Sequence, residues 1–191
     1  MQSKNKDYRK RLRTAGLFFA LVLVYLLMAI PFRVMTVIPG FTEIRPVQLL
    51  QPVYGVFFGI PGCLAFAVGN LIGDLLGDSL KWSSIAGFAA NFAGPFVFWL
   101  FWSRLSKTTF SLRTGKDLLK YLAVTAVSAA MEAALITPSV MLAYADVNAK
   151  LFAGTVFLNG AVFPLFLGIP LMILMHEEFR FRPCAARPST T

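Results

Sequence analysis

The chain has 191 residues, of which 57% are hydrophobic and only 14% charged, and its formal net charge is +9. A soluble domain of this size is near half apolar and about a quarter charged, so the composition indicates an integral membrane protein. The length suits one compact helical bundle and leaves no room within it for a substantial soluble domain. Cys63 and Cys184 have no metal-like spacing, so neither a disulfide framework nor a zinc site is predicted.

The chain begins with a basic segment, residues 1–13, which carries six lysines and arginines against a single Asp7. Directly before an apolar span, such a segment is typical of a cytoplasmic anchor. The first span is predicted at residues 14–30. It contains Gly16 and Ala20, a pair of small residues four apart that suits close helix–helix contact.

A proline-bounded loop at residues 39–46 follows the first span. Five further spans are predicted, at residues 47–60, 63–76, 84–102, 118–142 and 151–175. The first two of these are short for a full crossing, which needs about 17–25 residues. They are expected to meet at a tight turn formed by Pro61 and Gly62.

Basic residues set the expected orientation. With the N-terminus inside, 14 of the 18 lysines and arginines fall on the inner side, and only Arg33, Arg45, Lys81 and Lys150 fall outside. The fold prediction is therefore an all-α membrane protein, a compact bundle of six transmembrane helices with the N and C termini in the cytoplasm. Its parts are the basic segment 1–13, a transmembrane substrate-binding domain at 14–176, and a cytoplasmic tail at 177–191.

The predicted third span carries two parallel stripes at helical spacing. Small residues recur every four positions at Ala65, Gly69, Gly73 and Gly77, and polar residues do the same at Asn70, Asp74 and Asp78. A carboxylate in an apolar helix is costly and usually faces a partner, a cavity or a ligand. The alternative is that Asp74 only ties two helices together, or lies at the water interface.

Polar side chains from five predicted elements fall in the outer half of the membrane, while the inner half has almost none. They are Gln48, Gln51, Asn70, Asp74, Asn91, Glu132 and Asn159, with Glu132 nearest the middle. An apolar cavity with a few placed polar groups is how a binding pocket open to the outside would look. Arg45 and Trp82 are expected to close its entrance. The alternative is that each polar residue merely bonds a neighbouring helix.

Several catalytic motifs are absent from the sequence or incomplete in it. No phosphate-binding loop occurs, so the chain is not expected to hydrolyse ATP itself. The single histidine, His176, excludes a His-based triad and a histidine metal cluster. Glu177, Glu178 and Arg182 match a string found in an intramembrane protease family, but the further histidines which that chemistry needs are missing. The prediction is no enzyme, no catalytic residue and no metal.

Four stretches carry a family resemblance: FTEIRP at residues 41–46, QPVYGVFFG at 51–59, GNLIGD at 69–74 and FAANFAG at 88–94. They resemble the second to fourth helices of the substrate-binding S component of energy-coupling factor (ECF) vitamin transporters. The resemblance implies that Gly16 and Ala20 contact a membrane coupling subunit, although that family usually has alanine at both positions.

The resemblance further implies that substrate is bound on the outer side of a prokaryotic plasma membrane. The S component then topples beside the coupling subunit and two ATPases, and ATP is used by those partners, with no cofactor in this chain. The expected partners are a vitamin-like small molecule, membrane lipid and those subunits, without nucleic acid. Three classes of substrate remain open: a neutral ring-containing vitamin such as riboflavin, a corrinoid, and a modified base.

Two other functions remain open on the sequence. A stand-alone secondary carrier would show internal repeats and discontinuous helices, and no convincing repeat is present. A non-transport membrane scaffold is the second alternative. Whether Asp74 and Glu132 contact a ligand or only other helices is also left open.

Overall fold

The computed structural model describes residues 2–34, 36–38, 42–106, 110–144 and 147–184. The α-helices are α1 (Gln2–Ala29), α2 (Leu50–Leu76), α3 (Ser84–Leu100), α4 (Gly115–Ala143), α5 (Ala149–Phe163) and α6 (Ile169–Ile173). Five helical segments within these ranges are long and apolar enough to cross a membrane: Leu12–Phe32, Pro46–Leu76, Ser84–Leu105, Gly115–Ala143 and Ala149–Glu178. The prediction of a mainly helical chain whose helices could cross a membrane is confirmed.

Helix α1 begins at Gln2, so the basic segment belongs to the same helix as the first apolar span. Most of its apolar side chains are exposed, and only a narrow face, including Leu21 and Tyr25, is buried against α2. The Tyr54 hydroxyl donates a 2.6 Å hydrogen bond to the Leu21 carbonyl oxygen. Helix α1 therefore lies at the edge of the bundle and leaves one side free.

The connection between α1 and α2 is more structured than the predicted loop. Strands β1 (Thr36–Ile38) and β2 (Thr42–Glu43) pair antiparallel, and a 3-10 turn at Pro46–Leu49 leads into α2. The sequence prediction contained no strands here. Strands of three and two residues are too short to show the alternation of apolar and polar residues that identifies a strand.

Helix α2 is broken at Gly59, whose φ of 60° and ψ of −142° lie outside the helical region. A positive φ of this kind is strained for any residue with a side chain. Two further features fix the break: Pro61 follows it, and Gly62 packs directly on the carbonyl oxygen of Tyr54, where a Cβ atom has no room. The turn was predicted at Pro61 and Gly62, so the observed break begins slightly earlier in the chain.

The segment Pro46–Leu76 folds back on itself at this break. The rings of Tyr54 and Phe66 are 5.6 Å apart in edge-on contact, and Val47 lines the same cavity as Gly73. In a straight helix, residues 47 and 73 would be separated by roughly 39 Å at 1.5 Å per residue. The segment therefore ends at the side of the bundle where it begins.

The loop end of the bundle consists of residues 44–46, 77–83 and 147–148. Its connections contact one another and the neighbouring helices. The Lys81 ammonium lies 4.3 Å from the centre of the Tyr144 ring. The Arg45 backbone N–H donates a 3.1 Å hydrogen bond to Asn159 Oδ1.

The tail end of the bundle, opposite, consists of residues 57–59, 103–106, 110–114 and 176–184. Rings of Phe57, Phe110 and His176 contact one another there. Arg113 forms an ion pair with Glu177, and this carboxylate raises the pKa of the Arg113 guanidinium above its ordinary value. The tail end thus contains a cluster of aromatic rings beside the Arg113–Glu177 ion pair.

The last apolar stretch, Ala149–Glu178, corresponds to the predicted sixth span. It contains π-helical turns at Pro164–Gly168 and Leu174–Glu178 that interrupt the regular hydrogen-bond ladder. Pro164 cannot donate a backbone hydrogen bond, which explains why the first turn begins there. The Pro164 carbonyl oxygen accepts a 2.9 Å bond from the Tyr121 hydroxyl, which joins this stretch to α4.

Candidate binding site

The first group of polar side chains is the arginine cluster, formed by Tyr25 and Asn70, which are buried, and by Arg45 and Asp74, which are partly buried. The Arg45 guanidinium donates to Asn70 Oδ1 at 2.5 Å and to the Tyr25 hydroxyl oxygen at 3.1 Å. The Tyr25 hydroxyl donates to the same Asn70 oxygen at 3.3 Å, and Asn70 Nδ2 reaches Asp74 Oδ2 at 3.5 Å. Asn70 Oδ1 thus accepts hydrogen bonds both from Tyr25 on α1 and from Arg45 in the connection between α1 and α2.

The small-residue stripe on α2 explains how Tyr25 reaches this cluster. A Cβ atom at Gly69 would lie 2.6 Å from the Tyr25 ring, so any residue larger than glycine at this position would clash with the ring. The neighbouring element at Gly69 is α1, whose Tyr25 side chain fills the space beside this glycine. Ala65 and Gly73 of the same stripe are also buried, whereas Gly77 is exposed.

The second group is the glutamate cluster, formed by Gln48, Gln51, Ser128 and Glu132, all of them buried. Gln51 Nε2 donates to Gln48 Oε1 at 2.5 Å and also to Glu132 Oε1. The Ser128 hydroxyl lies 3.2 Å from Gln51 Oε1 and 3.0 Å from the Gly94 carbonyl oxygen. The first part of α2 is therefore joined to α3 and α4 by polar contacts.

One face of α3 connects the two clusters. A Cβ atom at Gly87 would lie 3.5 Å from Asn70 Nδ2, in the arginine cluster. Gly94, two turns further along α3, packs against Glu132 so closely that a side chain has no room. Asn91 lies between these glycines and donates from Nδ2 to the Gly87 carbonyl oxygen at 2.8 Å. The buried polar groups thus form one continuous region.

The cavity in this region is small. Its volume is about 20 Å³, and its walls include Tyr25, Arg45, Pro46, Asn70 and Gly73. This is room for about one water molecule. Pockets for drug-sized ligands measure about 300–1,000 Å³. In this conformation the cavity beside Arg45 is closed to a vitamin-sized molecule, in contrast to the open outward pocket expected from the sequence.

Most of the predicted binding residues are brought together. Those that join the continuous polar region are Arg45, Gln48, Gln51, Asn70, Asp74, Asn91, Glu132 and Asn159. Trp82 is 55% exposed on the connection between α2 and α3, and its role at an entrance stays a prediction. Gly16 and Ala20 are exposed on α1, and the space beside Gly16 is open to at least 4 Å.

Sequence reasoning missed two members of the region, Tyr25 and Ser128. Both had a signal that could have found them. Tyr25 is a hydroxyl-bearing residue in an otherwise apolar part of the first span. Ser128 lies four residues before Glu132, which places both on one face of a helix.

Among the residues that the structure describes, no group of three or more His, Cys, Asp or Glu side chains could hold a metal ion. The polar atoms are amides, hydroxyls, two carboxyls and one guanidinium, which are groups that orient a ligand.

No protein-family model, curated protein or solved structure matches this chain.

Proposed function

We propose that this protein is the substrate-capturing S component of an ECF-type importer. In this role it binds a vitamin or related micronutrient from outside the cell and delivers it with a separate coupling subunit and two ATPases. The observation that carries the proposal is the continuous polar region, formed by largely buried side chains from five helices, α1 to α5, and from the connection that carries Arg45, in an otherwise apolar bundle. A region of this kind supports binding of a small polar molecule.

The proposed topology has six membrane crossings with both termini in the cytoplasm of a prokaryotic cell. The reversal at Gly59 supports two crossings by Pro46–Leu76, which brings the number from five segments to six. The surplus of basic residues in the N-terminal segment, between α3 and α4, and in the tail supports a cytoplasmic tail end. The loop end, with the arginine cluster, then faces outward.

The proposed coupling surface is the exposed side of α1 that carries Gly16 and Ala20. Small residues allow a partner helix to approach the backbone closely, which is a main source of helix association within lipid. The open space beside Gly16 supports this use. The family resemblance supports the coupling subunit as the partner that docks on this surface.

The small cavity fits a closed form of such a protein. The Arg45 side chain forms part of the cavity wall and is held by Tyr25 and Asn70. Entry of a vitamin-sized molecule would require Arg45 to leave these partners. We therefore assign Arg45 the role of a gate residue at the outer entrance.

The test is to purify the protein from its native membrane and identify bound small molecules by mass spectrometry. Uptake is then measured in vesicles with and without a coupling subunit and its ATPases. We expect one bound micronutrient and uptake that requires both the partners and ATP. Uptake by the protein alone would indicate a secondary carrier. Reproducible protein partners with no bound small molecule would indicate a scaffold.

A further inference from the structure

A separate cavity of about 380 Å³ lies at the tail end of the bundle, opposite the arginine cluster. Its volume is within the range of pockets that hold small ligands. Its walls combine apolar, aromatic and charged side chains: Phe110, Leu112, Arg113, Ile173, His176 and Glu177. None of these residues belongs to the polar region described above, so this tail-end cavity needs an explanation of its own.

The aromatic wall of the tail-end cavity is held by several contacts. Phe110 is buried, and its ring meets the His176 ring edge-on, with 5.6 Å between the ring centres. The Phe57 ring stacks on the same imidazole at 6.4 Å. His176 Nδ1 lies 3.2 Å from the Phe181 carbonyl oxygen, and because a carbonyl can only accept, Nδ1 donates in this bond. A ligand would therefore meet a preformed wall.

The rim of the tail-end cavity carries one charge of each sign. Arg113 donates from Nε to Glu177 Oε1 at 3.0 Å and from Nη2 to Glu177 Oε2. The two side chains are 74% and 34% exposed. An exposed ion pair adds little to stability, so a ligand that offers a partner to each charge can open it at small cost. A ligand with one charge alone would be repelled by one of the two side chains.

The tail-end cavity also lies where two apolar segments end. Helix α4 begins at Gly115, just after Arg113, and the apolar stretch Ala149–Glu178 ends just after Glu177. With these segments across a membrane, as proposed, the ion pair lies at the level of the lipid headgroups. Ile173 lines the cavity and is exposed, so the cavity extends from the charged rim towards the apolar surface of the bundle. A phospholipid presents its groups in the same order, a charged headgroup and then apolar chains.

We propose that the tail-end cavity binds the headgroup of an aminophospholipid such as phosphatidylethanolamine. The phosphate accepts hydrogen bonds from Arg113, whose planar guanidinium suits a phosphate group. The primary ammonium of the same headgroup donates to Glu177. The acyl chains leave the cavity past Ile173 and continue in the bilayer. This lipid site is independent of the substrate site near Arg45, and it does not require that the protein be an importer.

The test compares three phospholipids with identical acyl chains on the detergent-purified wild-type protein. Phosphatidylcholine replaces the N–H donors of phosphatidylethanolamine by methyl groups, and phosphatidylglycerol keeps the phosphate without an ammonium. Native mass spectrometry measures how many lipid molecules bind and how tightly. We expect one phosphatidylethanolamine to bind at least about tenfold more tightly than either of the others, the equivalent of one charge-assisted hydrogen bond. Equal affinities would overturn the proposal. Tighter binding of phosphatidylglycerol would also overturn it, since that result indicates general attraction of anionic lipid to a basic surface.

Variants of the two charged residues assign the contacts. Glu177→Gln removes the carboxylate at nearly constant shape and should remove most of the preference for phosphatidylethanolamine. Arg113→Gln should weaken the binding of phosphatidylethanolamine and phosphatidylcholine alike, because both carry the phosphate. Arg104→Gln is the matched control, since Arg104 is exposed at the same end of the bundle and is not part of the cavity walls. A Glu177→Gln protein that keeps the full preference would contradict the assignment.

A second pair of variants locates the lipid. Ile173→Trp should fill the tail-end cavity and weaken phosphatidylethanolamine binding at least about tenfold. Leu174→Trp places the same bulk on the next residue, which is also exposed but does not line the cavity, and should bind the lipid as the wild type does. Equal binding by the two variants would mean that the lipid lies elsewhere on the protein, and the proposal would be wrong.

Discussion

Arg45 directly precedes the Pro46–Leu76 segment and Asn70 lies near its other end. The Arg45 guanidinium nevertheless donates a 2.5 Å hydrogen bond to Asn70 Oδ1. The contact exists because the segment reverses direction at Gly59. A single straight crossing would place these residues on opposite sides of a membrane. Chemical labelling can therefore distinguish the two arrangements.

The first prediction concerns sidedness. In a Cys184→Ser background, in which the remaining Cys63 is buried, Ile44→Cys and Ser79→Cys should both react with an impermeant thiol reagent in intact cells. Lys116→Cys, at the start of α4, should react only after the membrane is permeabilised. Labelling of just one of the residues 44 and 79 would mean that the segment crosses once.

Further positions extend the same experiment. Cysteines at Lys81 and Lys150 should also react from outside, since Lys81 lies in a connection at the loop end and Lys150 in the first turn of α5 beside it. Lys107 is expected to be protected in intact cells, and it lies outside the described residues. Reaction at Lys107 from outside would reverse the proposed orientation and place the arginine cluster in the cytoplasm.

The second prediction concerns the packing of the reversed segment. Gly62→Ala should destabilise the protein by about 1–3 kcal/mol, because the new methyl group overlaps the Tyr54 carbonyl oxygen and forces the two arms apart. Gly154→Ala on α5 is the control, since open space surrounds that position. The control should gain about 0.5–1 kcal/mol from helix propensity. Thermal unfolding in detergent measures the stability of both variants. Equal melting temperatures of Gly62→Ala and Gly154→Ala would contradict the described turn.

The third prediction concerns the arginine cluster. Tyr25→Phe removes the hydroxyl that accepts from Arg45 and donates to Asn70, while the ring keeps its contacts with Gly69. A hydrogen bond to a charged group contributes about 1.5–3 kcal/mol, so the unfolding free energy should fall by about that amount. Tyr8→Phe, at an exposed position on the same helix, should leave the stability unchanged. Equal effects of the two variants would show that the cluster contributes no stability.

The fourth prediction concerns coupling. Gly16→Leu and Ala20→Leu should abolish ATP-dependent uptake and leave ligand binding in detergent unchanged, because a bulky side chain blocks helix approach without entering the polar region. Gly154→Leu tests a glycine with equally open surroundings on α5 and should transport normally. Normal uptake by both α1 variants would remove this helix from the docking surface.

The fifth prediction concerns the ligand site. Once the bound molecule is identified, Asp74→Asn and Asn91→Ala should each weaken its binding by about 5- to 150-fold, the equivalent of 1–3 kcal/mol per buried partner. Titration calorimetry on the folded variants gives the affinities. Unchanged affinity in Asp74→Asn would support the alternative in which Asp74 serves only to hold Asn70.

Hydropathy and residue spacing predicted the positions of the helical segments and the reversal near Pro61. They could not place the break at Gly59, because apolar character carries no information on backbone dihedral angles. Depth along the helices placed Gln51 in the outer turns of its span and Glu132 nearer the middle of the membrane, so it did not predict that the two side chains meet. Their direct hydrogen bond depends on how the two helices rotate about their axes, which a single sequence does not specify.

The arginine cluster illustrates the same limit. Arg45 was expected at an entrance and Asn70 in a pocket, but the partner that joins them, Tyr25, lies on a helix with few other polar residues. Its position follows from the missing side chain at Gly69. The space left by a glycine becomes visible only when the neighbouring helix is in place.

The break at Gly59 also has a consequence for biogenesis. The first arm of the reversed segment, residues 46–58, is about 20 Å long at 1.5 Å per residue, and it carries Gln48 and Gln51. A stretch of this length and polarity is too short to enter the bilayer by itself, since independent insertion needs about 20 mainly apolar residues. If the two arms cross separately, as proposed, we expect the insertion machinery to retain the first arm until the second has been synthesised and to release both into the lipid as a pair.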